Sequence, residues 1–513
     1  MERSARRAFL WAYAVWLMGI VTFFVPAATW SPASRFGLTR AVVENHTLSI
    51  DAFVASTGDR SRRAAHWYTD KAPLPSLIAV VPYAVVHLFH RARGLSPRFH
   101  AIETPSIPAK RVVVNRPFQQ ALYICSIATA GIAGAVVAVA LFELLRRRGS
   151  PTSALVGSEL AVLGTPLLPY ATSFYGHEVA AACLVCAVML LDDASPESGR
   201  RAPAVRFAGA CLAAAPGNEY LTAVPAVLIG AWFLLRLERR RVAAALFDLS
   251  LGALGPLFVI GVYHAICFGA PWKTGYSFIA RPEFAAGHAL GLLGVRLPSW
   301  EALWGLSFGT RRGLFYIAPI ALVGLGGLGV AAVRDKDPAA RIGLVAFGSM
   351  LWLNAGYYMW WGGAAAGPRH LVPALAFLGL GIARAWRTRW LRIPILLLGA
   401  VSVANVVVIT AVGLEAPDFD DILRRYAWPA FLHGQVARLS GASNVGLKLG
   451  LRSLASLLPL AAWFGFGQVY VARLLRTDPE ESGVPSSIGR ALLRPISVRP
   501  HAATPQVRHE APR

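Results

Sequence analysis

The sequence predicts an all-α polytopic membrane protein, a bundle of about 12 transmembrane helices with a long first external loop that carries juxtamembrane helices. Three observations carry that prediction. The chain has 513 residues, of which 55% are hydrophobic and only 15% charged, where an ordinary soluble domain carries roughly 25% charge. Its apolar runs recur along most of its length and approach the ~20 residues that a bilayer-spanning helix needs. Its surplus of basic residues, a net charge of +23, lies in short clusters between those runs. This composition excludes a soluble globular enzyme, a disordered tail protein and a secreted disulfide scaffold. It also speaks against nucleic acid as a partner, because no basic domain interleaved with aromatics occurs. Cys125, Cys183, Cys186, Cys211 and Cys267 all fall inside apolar segments. They read as packing residues, since the CxxC of Cys183 and Cys186 has no second pair.

The elements follow in order. Run 9–29 comes after Arg3, Arg6 and Arg7; it is long for a signal sequence and many runs follow, so it reads as an uncleaved first helix. Further runs cover 118–145, 154–170, 179–191, 204–216, 221–235, 243–268, 314–333, 342–361, 371–383, 393–414 and 449–471. Stretch 74–89 is ambiguous, and charge decides it, because short cytoplasmic loops are enriched in Lys and Arg. If 74–89 crossed, Arg146, Arg147, Arg148, Arg200, Arg201 and the clusters around Arg239 and Arg387 would all lie outside. If it lies along the outer face, every one of them lies inside with the N-terminus. The chain therefore divides into a transmembrane domain, 1–475, and a cytoplasmic tail, 476–513, rich in Pro, Ser and Arg and predicted to be disordered. The external loops are 30–117, with its embedded helix 74–89, then 269–313 and 415–448. Loops longer than about 12–15 residues are usually functional or disordered.

The polar residues that could do chemistry gather on that outer side. Asp51, Asp59 and Asp70 lie in the first loop, and a carboxylate beside an apolar surface can act as a general base or orient a hydroxyl. The plainer alternative has Asp51 capping a turn and Asp70 pairing with Lys71 or Arg40. His177 and Glu178 sit in a short outer turn, and Glu219 in the next; such groups at a membrane boundary are costly unless used or paired. They read as a supporting polar site. No cofactor is called for; a divalent metal stays open, since two ligands do not define a metal site. Arg311 and Arg312, beside Gly313 at a helix start, offer guanidinium forks to a phosphate or to a lipid headgroup. The stretch Trp360-Trp361-Gly362-Gly363 followed by Gly367-Pro368-Arg369-His370 is the most distinctive. Glycines let backbone approach a ligand, Arg369 can hold a phosphate and His370 can donate to it.

With these residues in view the chain resembles the polytopic GT-C glycosyltransferases, in the bacterial branch near the protein O-mannosyltransferases and the lipid A aminoarabinose transferases. The likeness rests on one helix followed by a long acidic loop, on Tyr68-Thr69-Asp70-Lys71-Ala72-Pro73-Leu74, on the Tyr170…Gly176-His177-Glu178 turn and on Trp361-Gly362-Gly363…Gly367-Pro368-Arg369. It covers about residues 8–475. The resemblance implies a GT-C-like bundle in a bacterial inner membrane, both termini cytoplasmic and the active face periplasmic or extracellular. It implies transfer of a sugar from a polyprenyl-phosphate donor to a lipid, glycan or protein acceptor, within reach of membrane lipids. An outer-loop Asp would activate the acceptor, and Lys71, Arg311, Arg312, Arg369 and His370 would hold the donor phosphate. One departure stands out: the family often carries an Asp-Glu pair soon after the first helix, and Trp30-Ser31-Pro32-Ala33-Ser34-Arg35-Phe36-Gly37 has no acid. The order of preference for the base is therefore Asp51, then Asp59, then Asp70. The competing readings are a non-catalytic GT-C-like protein and a lipid-linked glycan flippase or ligase. A transporter should place polar groups near the bilayer midplane, whereas this chain gathers them at one face.

Overall fold

The computed structural model describes residues 3–104, 107–193, 201–416 and 420–476. All of the 476–513 tail except Arg476 lies outside them. Every apolar run read from the sequence includes a helix, although the first, 9–29, leaves it after Thr22 and continues through the short strand Phe24–Val25. Four helices are long and apolar enough to cross a membrane, Arg116–Arg146, Arg239–Phe268, Arg389–Val412 and Ser453–Leu475, and the shorter apolar helices include Pro151–Leu163, Tyr220–Leu235 and Ile320–Val333. The chain is thus a mostly helical, multi-pass membrane protein. Helix limits depart from the apolar runs where proline or glycine intervenes. Run 154–170 splits at Gly164-Thr165-Pro166 and run 314–333 breaks before Pro319, because proline lacks the donor a continuing helix needs, and the helix of run 342–361 ends at Gly356.

Glycines bring pairs of helices into backbone contact. A Cβ on Gly209 would run into the Leu249 carbonyl, and one on Gly252 into that of Arg206. The Arg201–Asn218 and Arg239–Phe268 helices meet through these two positions. Gly324 and Gly381 do the same between the Ile320–Val333 and Leu378–Trp386 helices. Small residues at such crossings let van der Waals packing act where no water is present to drive association.

Segment 30–117 departs most from expectation. Its start is a helix, Trp30–Asn45, that buries Ser31, Ser34, Arg35, Thr39 and Arg40. No apolar periodicity announces it, because it is buried all round from Ser31 to Ala41, polar and apolar residues alike. It ends where His46 turns left-handed, φ 54°. A 3-10 turn, Asp51–Ser56, leads into an antiparallel hairpin of Arg60–Arg63 with His66–Thr69. The helix predicted over 74–89 is two pieces, Leu74–Ile78 and Val80–Ala92, parted at Ala79. The second piece is amphipathic. Val81, Val85, Leu88 and Phe89 are exposed along one stripe, while Tyr83 and His90 are buried. Tyr83 donates to Glu44 and meets the Phe36 ring edge-on at 5.1 Å, which ties this piece to the Trp30–Asn45 helix. A second hairpin pairs Phe99–Thr104 with Ile107–Val114.

Two further connections shape the end of the bundle that holds this segment. Phe24–Val25 pairs with Ser443–Asn444, and the Ala28 amide donates to the Ser440 carbonyl at 2.9 Å. The exit of the first helix is thereby fastened to the 415–448 loop. The opposite end carries ion pairs: Arg148 with Asp192 (2.7 Å) and Asp337 (2.8 Å), and Arg146 with Glu143 (2.9 Å). Asp192 closes the His177–Asp193 helix, about 22 Å from its start at 1.5 Å per residue.

Candidate active site

The polar helix Trp30–Asn45 organises the first loop. The Ser34 hydroxyl donates to the Asp59 carbonyl at 2.6 Å and lies 2.7 Å from Thr69 Oγ1. Thr57 Oγ1 donates to the Trp30 carbonyl at 2.8 Å and accepts from the Asp59 amide at 3.0 Å. Thr69 Oγ1 in turn accepts from the Lys71 amide at 3.2 Å. These bonds set Asp59 and Asp70 on either side of one ammonium: Lys71 Nζ is 3.0 Å from Asp59 Oδ2 and 3.1 Å from Asp70 Oδ2. Asp70 Oδ1 is buried with no hydrogen-bond partner among the described residues.

The two carboxyls titrate in opposite directions. Burial pushes the Asp70 carboxyl up, and the neighbouring Asp59 charge adds to this against the pull of Lys71. Burial also acts on Asp59, but there Lys71, Arg369 and Arg35 prevail and hold it below the usual range. Lys71, between two carboxylates, is held above its ordinary value in spite of burial. Pairs driven apart in this way are the arrangement by which one site runs acid and base steps.

Around this trio lies a cavity of about 630 Å³, lined among others by Arg35, Asp59, Asp70, Lys71, Tyr175, His177, Glu219, Arg369, His370 and Glu415. Arg35 is 2% exposed; it donates to Ser31 Oγ at 2.6 Å, lies 3.9 Å from Glu219 and sits over the Tyr175 ring at 5.4 Å. Glu219 also meets His177 Nδ1 at 3.0 Å and His370 Nδ1 at 4.0 Å. Buried as it is, Glu219 is kept far down the carboxylate range by His177, His370 and Arg35. Glu415 accepts from the hydroxyls of Thr29 and Tyr175; burial outweighs these bonds and raises it. Arg369 reaches the cavity from a glycine-rich turn in which Gly362, Gly363 and Gly367 all have left-handed φ, 74°, 69° and 71°. A Cβ on Gly362 would stand 3.0 Å from Arg369 Cγ, so this turn needs glycine for its backbone and for its fit over the arginine.

The sequence candidates are thus sorted. Asp59, Asp70, Lys71, Arg369, His370, His177 and Glu219 come together at one cavity. Asp51, the first choice for the base, stands outside it. Its carboxylate takes His66 Nδ1 at 2.7 Å and the Trp67 amide at 2.6 Å, on the exposed side of the hairpin. That is the turn-capping alternative; burial pushes its carboxyl up, but its bonds with Ser49, His66 and Trp67 together outweigh that and hold it low. Arg312 is fully buried and donates to the carbonyls of Arg311 (2.8 Å) and Gly363 (2.9 Å), so it fixes the glycine turn from behind. Arg311 stacks on Trp361 at 4.8 Å and Trp360 at 5.9 Å. Glu178 is buried but does not line the cavity, and its oxygens have no hydrogen-bond partner among the described residues. Among the described residues, no group of three or more His, Cys, Asp or Glu is arranged to hold a metal ion. The sequence reading missed Arg35, Glu415 and Tyr175. The recurrence of Ser31, Arg35 and Thr39 at every fourth position was the one available signal for the first.

No family model matches the chain, and no curated protein matches it. Among solved structures, it is similar to the crystal structure of ArnT from Cupriavidus metallidurans bound to undecaprenyl phosphate. The TM-score is 0.48 at 15% identity, covering 93% of this chain and 77% of that one.

Proposed function

We propose that the chain is an integral-membrane glycosyltransferase that moves a sugar from a polyprenyl-phosphate donor to an acceptor hydroxyl. The observation that carries this reading is the convergence of Arg35, Lys71 and Arg369 with Asp59 and Asp70 on one cavity at one end of an apolar bundle. Cations fixed in a site of low dielectric suit a leaving phosphate, and a carboxylate with a free oxygen suits a hydroxyl proton. The GT-C resemblance of the Asp70-Lys71-Ala72-Pro73 and glycine-turn stretches supports the same reaction.

In the proposed step the acceptor oxygen attacks the anomeric carbon while Asp70 Oδ1 takes its proton. The bond from that carbon to the phosphate oxygen breaks, and polyprenyl phosphate leaves with the electron pair. Lys71, Arg35 and Arg369 stabilise the charge that builds on the phosphate. Asp59 holds Lys71 between donor and base. Asp70 thus replaces Asp51 as the first choice for the base, because Asp51 lies on the far side of the hairpin. Inversion at the anomeric carbon is what the family resemblance implies.

The proposal includes a topology. About 12 helices cross, both termini face the cytoplasm, the cavity opens to the outer side, and Val80–Ala92 lies in the outer interface with its apolar stripe toward lipid. The Arg148 and Arg384 clusters then face inward, as positive-inside orientation requires.

Binding of radiolabelled polyprenyl phosphate to the protein in nanodiscs tests the cation cluster. Arg369→Ala should weaken it by about tenfold or more, a charge-assisted contact being worth roughly 1.5–3 kcal/mol. Unchanged affinity in a folded Arg369→Ala protein would remove the cluster from donor binding.

A further inference from the structure

Besides the cations, the cavity is lined by a wall of rings. Tyr276, His288, Tyr357, Tyr358 and Trp361 all line it. Tyr276 and His288 stack at 4.2 Å with 30° between their planes. His288 meets Tyr358 edge-on at 4.9 Å, and Tyr358 meets Tyr357 at 4.8 Å.

The wall is built rigidly. His288 Nδ1 donates to the Leu293 carbonyl at 3.2 Å, which leaves Nε2 to accept from the Tyr357 hydroxyl at 3.1 Å. The Tyr358 amide donates to the Gly294 carbonyl at 2.8 Å, and Val295 forms a bridge with Tyr357. A Cβ on Gly287 would run into the Tyr358 ring, and one on Gly294 would come within 2.9 Å of it. Burial pushes His288 down to about 4, so it is a neutral ring near pH 7. The wall also touches the base. Gly275, next to Tyr276, packs so closely that a Cβ there would lie 2.8 Å from Asp70 Cα, and its carbonyl accepts from Ser61 Oγ at 2.7 Å.

We infer that this wall is the acceptor subsite and that the acceptor is a glycan, whose terminal pyranose lays its C–H face on Tyr276 and Tyr358 and turns a hydroxyl toward Asp70. Ring faces with polar edges fit a sugar, which is apolar on one face and hydroxylated around its rim. A groove for an isoprenoid chain would be lined by aliphatic side chains. The cavity lining does include Ile279, Phe284 and Met359, but each of the five rings of the wall carries an O–H or N–H group or a ring nitrogen. An extended peptide would need exposed backbone donors and acceptors along an edge, and the wall's Gly294 carbonyl and Val295–Tyr357 bridge are already used. This assignment rests on the transferase reading, in that Asp70 is taken as the base.

Saturation-transfer NMR on the protein in nanodiscs, with the methyl glycosides of glucose, mannose, galactose and N-acetylglucosamine as probes, tests it. At least one glycoside should receive saturation at its ring C–H protons, and should still do so with polyprenyl phosphate filling the cation cluster. Tyr276→Leu should weaken that transfer by about fivefold, the scale of one aromatic contact, while Tyr276→Phe, which keeps the ring, should restore it. Bound polyprenyl phosphate with no glycoside signal, or a signal that Tyr276→Leu leaves intact, would overturn the acceptor assignment and leave the transferase reading standing. Failure of polyprenyl phosphate itself to bind would overturn the transferase reading instead.

Discussion

Asp70 and Asp59 share one ammonium but titrate in opposite directions, because burial and the Asp59 charge prevail at Asp70 while Lys71, Arg369 and Arg35 prevail over burial at Asp59. A base works only when deprotonated, so activity falls as pH drops through its pKa. The Lys71 charge pulls Asp70 down and the Asp59 charge pushes it up. Lys71→Met should therefore move the acid limb of kcat/KM to higher pH, and Asp59→Asn should move it to lower pH. A pH–rate profile whose acid limb stays fixed in both variants would remove Asp70 from the base role. Asp51→Asn should leave turnover within about a factor of two, as befits a surface change, because Asp51 serves only the hairpin and His66. Sequence alone favoured Asp51 because a lone exposed acid and a lone site acid look alike in a string. Only the fold of the Trp30–Asn45 helix under the hairpin separates them.

At the scale of elements, the site depends on contacts that admit no side chain. The Arg239–Phe268 helix is held to the bundle largely through Gly209 and Gly252 against carbonyls of the neighbouring helix. Gly252→Val should destabilise the detergent-solubilised protein by the ~1–3 kcal/mol typical of overpacking and so lower its unfolding temperature. An unchanged unfolding temperature would contradict the close approach. The apolar runs announced every one of these helices, because burial in lipid or protein demands them. The Trp30–Asn45 helix was illegible for the opposite reason: it buries Ser31, Ser34, Arg35, Thr39 and Arg40 together with Ala33, Phe36 and Leu38, and hydropathy does not register a helix that buries charge on every side. The break at Ala79 was equally hidden, although Pro73, Pro75 and Pro82 crowd the two short helices.

At the scale of the molecule, paired charges gather at two ends of the bundle. One holds Arg148, Arg384 and their acidic partners. The other holds the cavity, where Arg35, Lys71 and Arg369 stand against Asp59, Asp70, Glu219 and Glu415. In a chain freed of reactive native cysteines, a membrane-impermeant thiol reagent should label Arg93→Cys from the same side as Asp51→Cys, and Arg387→Cys only from the other. Labelling of the Arg93 and Asp51 positions from opposite sides would mean that the Val80–Ala92 helix crosses. Charge clusters in the sequence already set Arg148 and Arg384 apart from the cavity residues; which end faces the cytoplasm is what this labelling tests. The cavity was legible only in part, since its members come from segments as far apart as Thr29 and Ser440, and no local pattern brings those together.

The most direct test of the central claim is release of polyprenyl phosphate from radiolabelled polyprenyl-phosphate sugars by the protein in nanodiscs with a glycan acceptor. The account predicts release by the unaltered chain and a loss of roughly 10²–10⁴-fold in Asp70→Asn, with donor binding retained. Undiminished release by a folded Asp70→Asn protein would contradict it.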